Sequence, residues 1–135
     1  MNNSLQPREM ATKTLLHIEC EAVNSRLLRK IMRQREDVAI LTGCYDDESI
    51  NFIRKQQPEY LLVNTDALGN NVNQVYHSLV MLDQIHTGKL IVSGYDTSSI
   101  RVLTGWMSQI TFIDFPLNTP ALLEAIGNDK HTDAA

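Results

Sequence analysis

Five short runs of apolar residues stand apart along the chain. They occupy positions 15–18, 38–41, 60–63, 90–92 and 110–113. Each run is nearly continuous rather than alternating with polar residues. Short continuous runs are typical of strands that are buried on both faces, as in a parallel sheet covered by helices. The pattern therefore predicts five buried parallel strands.

Between the runs, apolar residues recur at the spacing of an amphipathic helix. In the first such segment, residues 24–35, an apolar stripe that includes Leu28 and Ile31 lies opposite a basic face. Four further helices are expected to begin at Asp46 or Asp47, near Val72, at Ser98 or Ser99, and at Thr119. Regular alternation of strands and helices predicts one α/β domain with a doubly wound sheet and right-handed crossovers.

Residues that can carry chemistry follow four of the predicted strands. They are Glu19, Cys20 and Glu21 after the first strand, Asn64, Thr65 and Asp66 after the third, Ser93 after the fourth, and Asp114 after the fifth. In a doubly wound sheet, ligands bind beyond the carboxyl ends of the strands. We therefore expect the functional site at this edge of the sheet.

Four segments resemble the receiver domain of two-component response regulators. Residues 16–28 resemble its opening strand and helix, 61–66 its phosphoacceptor strand, 91–94 its switch-hydroxyl strand, and 112–117 its last strand with the Lys-Pro pair. The resemblance implies a single flavodoxin-like (βα)5 sandwich over residues 13–127, with a five-stranded parallel sheet of order 2-1-3-4-5. It also implies a cis peptide bond between Phe115 and Pro116.

The residues that perform phosphorylation in such receivers are mostly replaced at the matching positions. Glu19 keeps the first acid, but Cys20 replaces the second acid and Asn64 replaces the phosphoacceptor aspartate. The hydroxyl survives as Ser93, and Phe115 replaces the lysine. Acyl phosphate formation needs a carboxylate nucleophile, Mg²⁺ prefers hard oxygen ligands, and a phosphoryl group pairs with a cation. The three replacements together predict a pseudo-receiver.

The resemblance and these replacements together lead to a functional hypothesis. We expect an atypical receiver domain that acts as a phosphorylation-independent protein–protein interaction module in two-component or phosphorelay signalling. It is expected not to be an enzyme, to bind Mg²⁺ weakly or not at all, and to use no other metal or cofactor. Its expected partners are signalling proteins, namely a kinase, a phosphotransfer protein or an output protein.

The same residues leave alternatives open. In the first, Asp66 accepts the phosphoryl group in place of Asn64, since strand alternation puts both side chains on one side. In the second, the domain binds a small molecule as flavodoxin-like folds can, although residues 20–23 contain no glycine for a phosphate-binding loop. A metal site made of Glu19, Glu21 and Asp66 lacks a fourth anchored ligand and is disfavoured.

Two surfaces are candidates for partner binding. The first predicted helix carries a basic face, which we define as Arg26, Arg29, Lys30 and Arg33. That face suits an acidic partner, although a solvated polar face explains the same residues equally well. Phe112 matches the aromatic switch position of the family. With Tyr95, Ile100 and Trp106 it borders the fourth predicted helix, the fifth strand and the fifth helix, through which receivers commonly form homodimers.

Composition restricts the partners and the location further. The chain has 135 residues, of which 43% are hydrophobic and 21% charged, and its net charge is −4. These values are typical of one globular domain and disfavour nucleic acid as a partner. No segment has the apolar length of a membrane span, and polar residues 1–12 do not form a signal peptide. We therefore expect a cytoplasmic protein.

The remaining expectations concern the termini and the cysteine and histidine residues. Residues 1–12 are expected to be a disordered lead and residues 128–135 a flexible tail. Cys20 should be an unreactive thiol, because Glu19 and Glu21 raise the pKa of a neighbouring thiol, while a single disulfide with Cys44 stays open. His17 is expected in the core with its hydrogen bonds satisfied, and His77 and His86 on the surface.

Overall fold

Strands and helices alternate along the described residues, except that two helices follow the third strand. The computed structural model describes residues 12–107 and 109–127, so the expected disorder of residues 1–11 and 128–135 lies outside it. The strands are β1 (Lys13–Ile18), β2 (Val38–Gly43), β3 (Tyr60–Asn64), β4 (Lys89–Gly94) and β5 (Ile110–Asp114). The helices are α1 (Ala22–Ile31), α2 (Asp47–Gln56), α3 (Thr65–Leu68), α4 (Val72–Ile85), α5 (Ser98–Leu103) and α6 (Thr119–Ala125), with a 3₁₀ turn at Met32–Gln34.

The five strands form one parallel sheet of order β2-β1-β3-β4-β5. This is the predicted order, and the fold is flavodoxin-like. Ile18 of β1 pairs with Gly43 of β2 and with Val63 of β3, and Asn64 pairs with Ser93 of β4. Because parallel strands in this register end at the same level, the residues that follow them meet at one edge of the sheet.

Helices cover both faces of the sheet, and each face has its own apolar cluster. Side chains alternate along a strand, so Leu15 of β1 packs into one cluster and Leu16 into the other. Every residue of β3 is buried, which explains why its first four residues, 60–63, are all apolar. None of the helices described is long and apolar enough to cross a membrane.

Polar side chains determine where several helices begin. The side chain of Asp46 accepts a hydrogen bond from the Ser49 N–H at 2.9 Å, and Asn118 does the same for Ala121 at 2.9 Å. These bonds satisfy backbone donors that the first helical turn otherwise leaves unpaired. The predicted starts of α2 and α6 are confirmed. The Phe115–Pro116 peptide bond is cis, as predicted.

Some helix boundaries differ from those that periodicity predicts. The first helix extends from Ala22 to Ile31 and then tightens into the 3₁₀ turn, instead of beginning at residue 24. The short helix α3 is not predicted, because four residues are too few to show an apolar period. The helix expected to begin at Ser98 or Ser99 is α5, which begins at Ser98 and ends at Leu103, where the Thr104 hydroxyl donates to the Ile100 carbonyl at 2.7 Å.

The expectation that His86 lies on the surface is wrong. This residue follows α4 and is buried, and its Nε2 lies 2.6 Å from the carbonyl oxygen of Pro58. Burial lowers the pKa of His86 despite that hydrogen bond. Sequence spacing did not reveal the contact, because the carbonyl comes from a loop 28 residues earlier. His77 is exposed as predicted.

Candidate functional site

Three polar side chains are buried where β1, β3 and β4 end. Glu19 directly follows β1, Asn64 is the last residue of β3, and Ser93 pairs with it from β4. Their exposed fractions are 3%, 2% and 0%. We call these three residues the acid–amide pocket. Because buried polar groups need hydrogen-bond partners, the contacts within this pocket determine its chemistry.

The Glu19 carboxylate receives its hydrogen bonds from within the chain. Its Oε2 accepts the backbone N–H groups of Cys20 at 3.1 Å and Glu21 at 3.0 Å. The Nδ2 of Asn64 lies 2.9 Å from Oε1 and 3.1 Å from Oε2 and donates to the carboxylate. Hydrogen bonds to an ionised acceptor are stronger than those between neutral groups. These contacts therefore satisfy both oxygens.

The Asn64 side chain serves two partners at once. While its Nδ2 donates to Glu19, its Oδ1 accepts the backbone N–H of Asp66 at 3.0 Å and so caps α3. An aspartate at this position would accept the same cap bond but would offer no N–H to Glu19. The amide thus places an attractive pair where two carboxylates would repel each other.

His17 lies beside the pocket, fully buried within β1. Its Nε2 is 3.7 Å from Glu19 Oε1, which is too long for a hydrogen bond. Neither ring nitrogen has a hydrogen-bond partner among the described residues. Burial lowers the pKa of His17 to about 4, even though Glu19 acts in the opposite direction. The predicted core position is confirmed, whereas the expected hydrogen bonds are not found.

A hydroxyl group and an aromatic ring occupy the other two positions of the receiver-like pocket. Ser93 Oγ donates to the Val63 carbonyl at 3.3 Å. Phe115 is half-buried against the cluster that contains Leu15. The Tyr95 ring packs against Phe115 edge to face, with centroids 5.0 Å apart and an interplanar angle of 83°. An aromatic pair therefore stands where a receiver of the resembled family places an ammonium group.

The other predicted pocket residues, Cys20, Glu21 and Asp66, are exposed. Asp66 lies in α3 and not on a strand, since β3 ends at Asn64. The strand alternation that placed Asp66 on the side of Asn64 therefore does not apply. In residues 12–107 and 109–127, no group of three or more His, Cys, Asp or Glu side chains is arranged to hold a metal ion.

A network beside β5 was missed by sequence reasoning. Thr97 Oγ1 donates to Asp114 Oδ1 at 3.0 Å and accepts from Arg101 Nε at 2.9 Å, and Arg101 Nη2 lies 3.3 Å from the same carboxylate. The Arg101 guanidinium also lies over the Phe112 ring, 4.6 Å from its centroid. Phe112 is consequently half-buried. The sequence signals for this network were Asp114 at the end of the fifth strand and the spacing of four residues between Thr97 and Arg101.

Large apolar side chains are exposed near β5 and α5. The exposed fraction is 76% for Tyr95, 81% for Val102 and 64% for Trp106. We call these three residues the apolar face. Trp106 Nε1 donates to the Tyr76 hydroxyl at 3.0 Å, which holds the indole at the surface. Ile100, which was also predicted to border this face, is instead buried in the core.

All four side chains of the basic face are exposed. Arg26, Arg29 and Lys30 are exposed on α1, and Arg33 is exposed on the 3₁₀ turn that follows. Arg29 and Lys30 occupy the last turn of α1, where positive side chains interact favourably with the helix dipole. The helix dipole therefore favours positive side chains at these two positions even when no partner protein is bound.

Comparison with known proteins finds similar structures but no similar sequence. No protein-family model matches the chain, and no curated protein matches it. A response regulator from Burkholderia pseudomallei, solved with a phosphorylated aspartic acid, is 15% identical with a TM-score of 0.69, covering 90% of this chain and 69% of that chain. The pilus assembly protein CpaE from Caulobacter crescentus is 19% identical with a TM-score of 0.65, covering 88% and 94%.

A third similar structure contains a bound partner. It is the receiver domain of a Saccharomyces cerevisiae response regulator, crystallised with a histidine phosphotransfer signalling protein. It is 11% identical to this chain with a TM-score of 0.66, covering 93% of this chain and 94% of that chain. At such low identity, these similarities establish the fold. The chain has the fold of response-regulator receiver domains.

Proposed function

We propose that this chain is a receiver-type signalling domain that works through protein–protein contacts and without aspartate phosphorylation. The observation that carries the proposal is the pairing of Asn64 Nδ2 with the Glu19 carboxylate at 2.9 and 3.1 Å. This contact occupies the place where the resemblance implies two carboxylates around Mg²⁺. The proposal keeps the receiver fold and assigns it a binding role.

The amide removes the electrostatic need for a metal ion. Two carboxylates at this separation repel each other, and a cation between them relieves the repulsion. Asn64 is neutral and donates a hydrogen bond, so no cation is required. Mg²⁺ would have to displace the Asn64 contact to reach Glu19. The exposed Cys20 thiol, a soft ligand, is a poor substitute for a carboxylate on Mg²⁺.

Two further steps of aspartate phosphorylation, nucleophilic attack and neutralisation of the phosphoryl charge, also lack the side chains that they need. Attack on a phosphodonor requires an anionic oxygen, whereas Asn64 Oδ1 is an amide oxygen that already accepts the Asp66 N–H. The transferred phosphoryl group would find no ammonium at position 115, where Phe115 packs against Tyr95. Nucleophilic attack and charge neutralisation are therefore both unsupported by the pocket.

We propose that the partner is a signalling protein with an acidic surface that binds the basic face. All four basic side chains of that face are exposed. A structural neighbour of this chain was solved in complex with a phosphotransfer protein, which supports a signalling protein as the partner. Binding through opposite charges should weaken as salt concentration rises, because salt screens surface charges.

Intact-mass measurement after incubation with acetyl phosphate and Mg²⁺ tests the proposal. The native chain should gain no phosphoryl group. A triple variant with Asn64→Asp, Cys20→Asp and Phe115→Lys restores the three missing groups and serves as the positive control. We expect this variant to gain one phosphoryl group, because it again offers a nucleophile, a second acid for Mg²⁺ and a cation.

A phosphoryl gain by the native chain would contradict the proposal. In that event, the Asp66→Asn variant would identify the acceptor, since loss of the gain would assign it to Asp66. Asp47→Asn is the matched control, because Asp47 is also an exposed acid in a first helical turn. Calorimetric detection of Mg²⁺ binding at millimolar affinity or better would also count against the proposal.

A further inference from the structure

A pair of thiols lies next to the acid–amide pocket, and the proposed function does not use it. Cys20 follows β1 and Cys44 follows β2. Their Sγ atoms are 3.6 Å apart, although the residues are 24 positions apart in the sequence. Both cysteines are free and exposed. The two sulfur atoms are thus neighbours and can be reached by small molecules in solution.

The backbone holds the two cysteines at this separation. Ile18 pairs with Gly43 at the ends of β1 and β2, and the Glu19 N–H donates to the Gly43 carbonyl at 2.9 Å. The ladder therefore continues to the residues just before the two cysteines. Continuing this register places Glu19 opposite Cys44 and Cys20 one position further along, so the segments that follow β1 and β2 bring the two Sγ atoms to 3.6 Å. The sheet brings the two residues together whether or not they react.

Little movement is needed to join the two sulfur atoms. A disulfide bond is about 2.05 Å long, so the Sγ atoms must approach each other by about 1.5 Å. Both residues lie between a strand and a helix: Cys20 is followed by Glu21 and α1, and Cys44 by Tyr45, Asp46 and α2. Side-chain rotation and small loop shifts can supply this movement without breaking a strand.

We propose that Cys20 and Cys44 are a redox modification site, at which exchange with a low-molecular-weight disulfide such as oxidised glutathione forms a reversible intramolecular disulfide. In the first step, one cysteine loses its proton and attacks the glutathione disulfide, which forms a mixed disulfide and releases one glutathione thiolate. In the second step, the other cysteine loses its proton and attacks the protein sulfur of the mixed disulfide. The Cys20–Cys44 bond forms, and the second glutathione leaves as its thiolate.

The electrons and protons of this exchange balance. Two electrons pass from the two cysteines to the glutathione disulfide, which is reduced to two glutathione molecules. The two protons that the cysteines release are taken up by the two glutathione thiolates. The bonds broken and formed are all sulfur–sulfur or sulfur–hydrogen bonds, so no metal or further oxidant takes part.

The neighbourhood favours slow attack by Cys20 and fast formation of the internal disulfide. The hydrogen bond with Cys44 raises the pKa of Cys20, and burial and the charges of Glu19 and Glu21 act in the same direction. A thiol with a raised pKa is less often ionised and attacks a disulfide slowly near neutral pH. Once one cysteine carries glutathione, the second lies beside it, and the closing step gains the advantage of an intramolecular reaction.

Intact-mass measurement under non-reducing conditions tests this proposal on the full chain. After incubation with oxidised glutathione, the native chain should be lighter by two hydrogen atoms, have no free thiol, and return to its original mass with dithiothreitol. The sequence contains two cysteines, so the assignment of the bond is unambiguous. The Cys20→Ser and Cys44→Ser variants should each gain a single glutathionyl group instead.

Three results would overturn the proposal. The native chain could stay unmodified, it could keep glutathionyl groups without forming the Cys20–Cys44 bond, or it could form disulfide-linked dimers. Gel filtration before and after reduction separates the dimer from the internal disulfide. Serine differs little in size from cysteine and both positions are exposed, so the single variants should fold. None of these readouts depends on phosphorylation or on a partner protein.

Discussion

At the residue scale, the amide nitrogen of Asn64 determines the hydrogen bonding of the acid–amide pocket. Its amide nitrogen donates to Glu19 and its amide oxygen caps α3. Aspartate has nearly the same shape, so the exchange of NH₂ for O⁻ changes the charge and the donor count and hardly anything else. The stability of the pocket therefore depends on which of these two residues is present.

Asn64→Asp tests this dependence. Because the variant loses a hydrogen bond to a charged group and gains carboxylate repulsion, we expect the free energy of unfolding at neutral pH to fall by about 2 kcal/mol. Added Mg²⁺ should restore part of this loss in the variant and leave the native chain unchanged. Urea denaturation with and without Mg²⁺ measures both effects.

The matched control is Asn71→Asp. Asn71 also caps a helix, α4, but it is exposed and its side chain accepts the Gln74 N–H. Aspartate caps a helix as well as asparagine does, so this variant should be as stable as the native chain. Equal stability of Asn64→Asp and the native chain without Mg²⁺ would show that the amide–carboxylate contact does not stabilise the pocket.

His17 makes the stability depend on pH. In the unfolded chain its pKa is about 6.5, and in the folded chain it is about 4, because burial outweighs the attraction of Glu19. Between these values the unfolded chain binds a proton that the folded chain excludes. The free energy of unfolding should therefore fall as the pH is lowered from about 6.5 to 4, by up to about 3 kcal/mol, with no contribution above that window.

Denaturation at a series of pH values, compared between variants, isolates this contribution. His17→Leu removes this titrating group and should reduce the pH dependence in that window, while His86, whose pKa burial also lowers, keeps part of it. His77→Gln is the control, because His77 is exposed and should leave the slope unchanged. An unchanged slope in His17→Leu would assign the acid sensitivity to other residues.

At the scale of elements, short polar side chains determine where four of the helices begin. Asp46, Asn64, Asn71 and Asn118 each accept a backbone N–H from the first turn of a helix. Each of these bonds pairs a donor that the helix itself leaves unsatisfied. The loops at the site edge of the sheet are therefore ordered by side-chain hydrogen bonds as well as by packing.

Asp46→Ala measures the value of one such cap. The Asp46 side chain accepts the Ser49 N–H at 2.9 Å, and its loss should lower the free energy of unfolding by about 1 kcal/mol. Asp46→Asn keeps an acceptor at the same place and should retain most of the stability. Thermal denaturation of the two variants distinguishes them, and equal losses would indicate that the negative charge matters more than the cap bond.

At the scale of the whole molecule, the apolar face is the surface most suited to self-association. Val102 and Trp106 are 81% and 64% exposed, and large exposed apolar side chains are frequent anchors of interfaces. A second copy of the chain that covers these side chains would remove them from water.

We expect the native chain to form dimers as its concentration rises. Val102→Glu should shift this equilibrium to the monomer, because it places a charge in the apolar contact. Val72→Glu adds the same charge on α4, where Val72 is 41% exposed, and should have no effect. Sedimentation velocity over a concentration series measures the equilibrium, and a native chain that stays monomeric throughout would exclude this interface.

The sequence by itself determined the elements of the fold. Continuous apolar runs predicted all five strands, because a strand buried on both faces has apolar residues along most of its length, as β3 has at positions 60–63. Periodicity predicted five helices but not the single turn α3. The strand order followed from the resemblance to receivers, since an apolar pattern records burial and not which strand lies beside which.

The tertiary structure decided the contacts within the site. The sequence placed Glu19 and Asn64 at one sheet edge, but their hydrogen bonds depend on the register of β1 and β3 and on the turn into α3. The approach of Cys20 to Cys44 likewise exists only because β1 and β2 are neighbours. Hydrogen bonds and thiol contacts are short and directional, so residues far apart in sequence make them only after the sheet sets their separation.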